Sequence, residues 1–242
     1  MRLRQYRYLQ FFSLTGLGLF ILEIIVTGKL SWYIHKRYLP LTLLAAIGLL
    51  GMGLAALVTA RRMPREAGSH DPTYTGWGLA IALLPLLVGW AIPSRPLSAM
   101  AIDSKGVSVT ASLAAGGKSS ANFGTSTGEH TILDWIRLFN SGKDYTPFLG
   151  QQADVIGFVY HDPRLDGQHF LVSRFAIVCC AADAFAIGMA VQWPDNAALA
   201  QDTWVKVQGA VQEFSLGGDK LPLILATSVD PVSAPSQPYL FP

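Results

Sequence analysis

The chain has 242 residues, 51% of them apolar and only 14% charged, where a soluble protein carries roughly a quarter charged residues, so the composition excludes a chain that is soluble throughout. Up to Pro93 there are nine Lys and Arg against three acids, a balance of +6; from Ser94 on, nine stand against thirteen, a balance of −4. An acidic second part argues against nucleic acid as a partner, because that binding is driven by neutralising phosphates.

The apolar surplus sits in three blocks before residue 94. The first, residues 8–27, follows Arg2, Arg4 and Arg7 as a signal peptide would. Its run exceeds the usual 7–15 residues of such a core, and no Ala-x-Ala-like cleavage site follows, only Gly28-Lys29-Leu30-Ser31-Trp32. It reads as a retained transmembrane helix. The second block, residues 39–60, is free of charge, starts with Pro40 in the first turn and is rich in Gly, Ala and Leu, which favours close helix packing. The third, residues 76–92, is just long enough to span, with Pro85 expected to kink it and Pro93 and Pro96 to end it. Three spans in a plasma (inner) membrane follow.

Basic residues set the orientation. Arg2, Arg4, Arg7, Arg61, Arg62 and Arg65 outnumber Lys29, Lys36 and Arg37, so the N-terminus is expected in the cytoplasm and everything after Ser94 outside. Trp32, Tyr33, Tyr38, Trp77 and Trp90 sit near span ends, as interfacial aromatics contacting membrane lipid do. Glu23 is the one acid within a span. Charge there is costly, which makes it a functional candidate; the plainer reading is a hydrated residue near the membrane surface, or a partner of Lys29.

From residue 94 to 130, Gly, Ser, Ala and Thr dominate, and the segment reads as a flexible linker. Residues 131–140 read as an amphipathic helix, with Ile132, Trp135, Ile136 and Phe139 at three- and four-residue steps and Thr131 as its cap. Strands are expected at 152–160, 169–178, 185–193, 203–214 and 223–229. Five short strands with turn signals between them suggest an OB-like barrel over residues 131–242; a β-sandwich is the alternative. Gly157, Gly188 and Gly209 inside strands suit bends or bulges. The proline-rich tail, 230–242, is expected to lie extended against the barrel.

The chain's two cysteines, Cys179 and Cys180, are adjacent, with Arg174 before them and Asp183 after. Thiolates with a nearby carboxylate or histidine are the usual ligands of a soft divalent metal ion such as zinc; Asp183, His161 and His169 are the candidates to join them. In a regular strand the two thiols would point to opposite faces, so a shared ion requires the strand to bend or end there. A strained vicinal disulfide and plain packing are the other readings. Arg174 and Asp183 suggest an ion pair at the strand end, or an anion site at Arg174. Ser173, His169 and Asp183 have the residue types of a hydrolase triad, but no nucleophile-elbow motif surrounds Ser173, and there is no Cys-x-x-Cys pair. We expect a protein that is not an enzyme.

Several segments carry a family resemblance: Thr27-Gly28-Lys29-Leu30 with Tyr33-Ile34-His35 and Arg37-Tyr38; Pro93 with Pro96-Leu97-Ser98; Gly157-Phe158-Val159-Tyr160; Arg174 through Ala184; Trp204 through Gly209; and Pro235-Ser236-Gln237-Pro238-Tyr239. In these the chain resembles the YcgQ family, membrane proteins grouped as subunits of two-component permeases. The family often has a proline shortly after the Asp-Ala pair, where this chain has Phe185-Ala186-Ile187. The resemblance implies a partner, a larger multi-pass permease, and an accessory role in transport; it implies no particular substrate.

Overall fold

An apolar run in lipid can satisfy its backbone groups only within itself, which is why such runs become helices. The computed structural model describes residues 3–62, 76–105, 130–140, 145–216 and 219–241. The chain divides into two units, Met1–Arg95 and Pro96–Pro242.

In the first unit, α1 (Leu3–Val26) and α2 (Leu39–Arg62) pack against each other. Small residues let them approach: a Cβ on Gly53 would lie 2.5 Å from Thr15 Oγ1, and one on Gly18 would lie 2.9 Å from Leu50. Ala46 and Ala60 are fully buried in the same unit. The remaining faces stay apolar and uncovered, with Phe12, Leu19, Leu41, Leu44, Ile47 and Met52 exposed. Among the described residues, two helices are long and apolar enough to cross a membrane. The third block forms α3 (Gly76–Ala91), 16 residues with Pro85 inside. At about 1.5 Å per residue its 16 described residues are shorter than the roughly 30 Å hydrocarbon core, so α3 is not one of the two helices that qualify by length.

In the second unit, a reciprocal cap starts α5 (Ile132–Asn140). Asp134 accepts hydrogen bonds from the Thr131 backbone (2.9 Å) and hydroxyl (2.7 Å), and Thr131 Oγ1 accepts the Asp134 N–H. The helix buries Ile132, Leu133, Trp135, Ile136, Leu138 and Phe139 against the sheet.

That sheet has six strands where five were expected. They are β1 (Gln152–Tyr160), β2 (His169–Ala176), β3 (Phe185–Gln192), β4 (Trp204–Leu216), β5 (Asp219–Pro231) and β6 (Tyr239–Leu240). Their order is β1-β4-β5-β3-β2-β6, and β1 also pairs with β2, so the pairing returns to its first strand. The sheet is mixed: β3–β5 and β2–β6 are parallel, the other pairs antiparallel. The sixth strand comes from the tail, whose Tyr239 is only 2% exposed. Prolines hid it, since a two-residue strand held from outside leaves no alternation to read.

Gly209 marks a bulge, as its place in a strand suggested. The β4–β5 register shifts between Gln208 and Gly209, and a Cβ on Gly209 would meet the Leu225 carbonyl oxygen at 2.1 Å. Backbone cannot retreat as a flexible side chain can. Gly209→Ala is expected to cost about 3 kcal/mol, measured by denaturant unfolding; a Gly167→Ala control, with nothing within 4 Å of its added Cβ, should stay within about 0.5 kcal/mol of wild type.

The linker expectation needs correction at its start. Ala99–Lys105 form a short helix, α4, and Ala99 and Ile102 are each 1% exposed. Asp202 Oδ1 accepts the Ala99 N–H at 2.5 Å, and Tyr160 donates its hydroxyl to Asp103 at 3.1 Å. Two apolar residues among small ones were enough to dock it. The rest of the expected linker, 106–129, lies outside the described residues.

Candidate functional site

The cysteines lie just past the end of β2, which stops at Ala176 rather than reaching residue 178. Alternation therefore does not separate the two thiols. The chain bends through Val178 and Cys179 and enters a single 3-10 turn at Ala181–Asp183. Asp183 organises the bend. One carboxylate oxygen accepts the Val178 N–H (3.1 Å), the other those of Cys179 (2.8 Å) and Cys180 (3.3 Å). The Cys180 thiol in turn accepts the Asp183 N–H, closing a reciprocal cap across the turn.

This folds both sulfurs to one side, Sγ to Sγ 3.7 Å apart. One ligand atom from each of Cys179, Cys180 and Asp183 lies within 4.8 Å of the others. The cysteines are half-buried and the aspartate is exposed, so the donor set is reachable from solvent. Two thiolates on a tetrahedral zinc, each bonded at about 2.3 Å, sit roughly 3.8 Å apart. The observed sulfur spacing matches that edge.

The electrostatics divide the pair. The Asp183 carboxylate beside it, then the Cys180 sulfur, push the Cys179 thiol up to about 11. Cys180 moves the other way, because the backbone N–H of Ala182, the Cys179 thiol and the Asp183 N–H all favour its thiolate. Burial pushes Asp183 up, but the Cys179 thiol and the three backbone N–H groups outweigh it and hold the carboxyl below its usual range. The turn thus presents one sulfur disposed to be a thiolate, one thiol and one carboxylate. As a chemical unit it suits a thiophilic cation.

Two domain matches cover most of the chain: residues 9–108 match the DUF1980 N-terminal domain and residues 132–242 the DUF1980 C-terminal domain. The chain belongs to the DUF1980 family. It is 21% identical to the "UPF0703 protein YcgQ" of Bacillus subtilis, over 94% of this chain and 97% of that protein. It is 23% identical to the "Putative two-component membrane permease complex subunit" of Streptococcus mutans serotype c, over 89% of this chain and 92% of that one. No solved structure matches it. The resemblance to the YcgQ family read from the sequence is therefore shown.

The other singled-out residues of the second unit of this DUF1980 chain do not join the cysteines. Arg174 does not pair with Asp183. Its guanidinium donates to the tail carbonyls of Pro238 (3.1 Å) and Gln237 and lies over the Trp204 ring at 5.9 Å. Burial lowers it to about 10. His169 holds Asp166 at 2.6 Å, and His161 Nε2 lies 2.8 Å from the Leu199 carbonyl, so neither histidine joins the metal set. With His169 engaged there and Ser173 fully buried, no hydrolase triad assembles. Glu23 is exposed and forms no ion pair with Lys29; both line a cavity of about 320 Å³ in the first unit, with Phe20 and Trp90 among its walls.

Sequence reasoning missed what the backbone does at the turn. The N–H groups of Val178, Cys179 and Cys180 fix the carboxylate, and the Ile177 N–H is held by the Leu240 carbonyl at 3.0 Å. Asp183 spaced three and four residues after the cysteines was the only sequence signal for this closure.

Proposed function

We propose that this protein is the accessory subunit of a two-component membrane permease, whose second unit is an extracytoplasmic OB-like barrel that binds a soft divalent cation such as zinc at Cys179, Cys180 and Asp183. It acts by binding and docking, without turning over a substrate. The observation that carries the metal reading is the donor set itself: two sulfurs 3.7 Å apart with a carboxylate, all ligand atoms within 4.8 Å, on a turn open to solvent. Three protein donors leave one position for water or for a ligand of the partner, as an exchanging site requires.

The barrel reading is supported by the five pairings that return from β2 to β1, with one parallel contact between β3 and β5. The membrane reading is supported by α1 and α2, apolar on faces that nothing in the unit covers. We take residues 76–92 as a third span, which the basic residues then orient with the second unit outside. A multi-pass permease as partner comes from the printed name of the Streptococcus mutans relative, and membrane lipid is the remaining contact of α1 and α2. The acidic balance of the second part argues against nucleic acid as a partner.

The test is titration of the full chain, purified in detergent, with zinc and with cadmium, whose thiolate complexes absorb in the ultraviolet. Wild type should bind one cation at micromolar concentration or tighter, and a Cys179→Ser, Cys180→Ser double variant should not. Wild type without binding at that level overturns the metal reading. Recovery of a multi-pass membrane protein with the tagged chain, expressed in its own cell type, tests the accessory role separately. A second reading, an outer-face thiol redox protein, draws on the same sulfur proximity; native mass spectrometry finding the pair oxidised in the isolated membrane would favour it over a resident cation.

A further inference from the structure

The segment that leaves the first unit and the turn that carries the cysteines are tied to one element, the C-terminal strand. Leu97 lies two residues past Arg95, where the first unit ends, and its backbone N–H donates to the Tyr239 hydroxyl at 2.7 Å. Ala99 is anchored beside it on Asp202. Tyr239 begins β6, whose Leu240 carbonyl accepts the Ile177 N–H at 3.0 Å. Ile177 is two residues before Cys179. From Leu97 to the cysteine turn, the path is two hydrogen bonds and one residue of strand.

The strand is also the least entrenched part of the sheet. It has two residues, pairs only with β2, and comes from a proline-rich tail. Specific devices seat it: the Arg174 guanidinium on the Gln237 and Pro238 carbonyls, and the buried Tyr239 ring edge-on to Phe175 at 6.5 Å. A short parallel strand held by side chains rather than by a long ladder has fewer bonds to break on opening than the rest of the sheet.

We propose that β6 is a strap that couples the segment emerging from the membrane helices to the Cys179-Cys180-Asp183 turn, so that displacement of residues 96–99 loosens the turn and changes access to its thiols. As regulation of a cation site this rests on the metal reading above; as a mechanical link to the thiols it does not. With the strap seated, the Ile177 N–H is fixed and the chain enters the bend on one path. With it released, the Val178, Cys179 and Cys180 N–H groups lose the constraint that aligns them on Asp183. The membrane unit would then set how firmly the site holds its cation. This is the behaviour expected of a subunit whose partner opens and closes.

The experiment reads thiol access directly. The full chain in detergent is alkylated with a maleimide in excess, and the rate of labelling at Cys179 and Cys180 is followed by mass spectrometry. Tyr239→Phe removes the hydroxyl and keeps the buried ring; Leu97→Pro removes the donating N–H from the other end of the same bond. Each is expected to raise the labelling rate about fivefold with unchanged circular dichroism. The double variant should match either single one, because both remove one interaction. Rates equal to wild type in Tyr239→Phe overturn the strap, as do additive effects in the double variant. Should Leu97→Pro fail to fold, Arg174→Lys, which keeps the charge and loses the paired carbonyl contact, replaces it with the same expected rise. Cadmium titration of wild type and Tyr239→Phe separates the two ideas: faster labelling of the variant with weaker cation binding supports both, and faster labelling of the variant when the wild type binds no cation supports the strap and sinks the metal reading.

Discussion

Trp135→Ala is expected to destabilise the second unit by about 3–5 kcal/mol. Trp135 is fully buried and sits on α5 in the middle of the cluster that joins the helix to β1, β2, β3 and β4. Removing the indole leaves a void that the surrounding Val, Ile and Phe side chains cannot close without breaking strand pairing, so both the transfer and the cavity cost apply. For a domain of about 150 residues, each kcal/mol moves the melting point roughly 2–4 °C, and a drop on the order of 10 °C should appear in near-ultraviolet circular dichroism. Trp135→Phe is the informative control. The indole N–H is buried with no hydrogen-bond partner among the described residues, and Phe removes that stranded donor while keeping most of the volume. Its cost should stay near 1 kcal/mol. A Phe variant as unstable as the Ala variant would mean that the N–H has a partner, such as an ordered water, worth several kcal/mol.

If the turn binds a cation as proposed, Asp183→Asn should lower the affinity for zinc or cadmium by at least about a hundredfold. In the proposed cation site the carboxylate would be a donor to the cation, and it is the acceptor that aligns Val178, Cys179 and Cys180. An amide of the same shape turns one of those oxygens into an NH2 group facing backbone N–H donors, so the bend loses its closure along with its charge. A thiol readout checks the same change without metal. The Asp183 carboxylate is the largest cause holding the Cys179 thiol up at about 11. With the charge gone, the thiol should ionise at lower pH, so in a Cys180→Ser background the alkylation of Cys179 should begin at lower pH in Asp183→Asn than in its parent. An unchanged profile would mean that the carboxylate does not face the thiol in solution.

How much of this was legible beforehand depended on how local each signal is. The cap of α5 was readable because Thr131 and Asp134 satisfy each other within one turn. β1 falls on its expected residues because its pattern of burial is its own. The length of β5 was underestimated: it runs 13 residues, extended at both ends beyond the apolar centre by pairing with β4. The dock of residues 96–105 was read as linker, since its acceptor, Asp202, lies a hundred residues away. Arg174 was expected to pair with Asp183 at the strand end. It meets tail carbonyls instead, because the tail runs beside β2 and brings acceptors closer than Asp183.

By itself the sequence determined the two long apolar helices, the amphipathic helix before the sheet, most strand positions and the identity of the candidate ligands. Those follow from hydropathy over a window, from caps and from residue chemistry, all local along the chain. Only the tertiary structure decided that β2 ends at Ala176, that Asp183 folds back on three backbone N–H groups to bring both sulfurs to one side, and that the last residues become a strand tied to Leu97. The physical reason is that each of these rests on a backbone donor or acceptor finding its partner across space, and every residue type carries the same backbone groups.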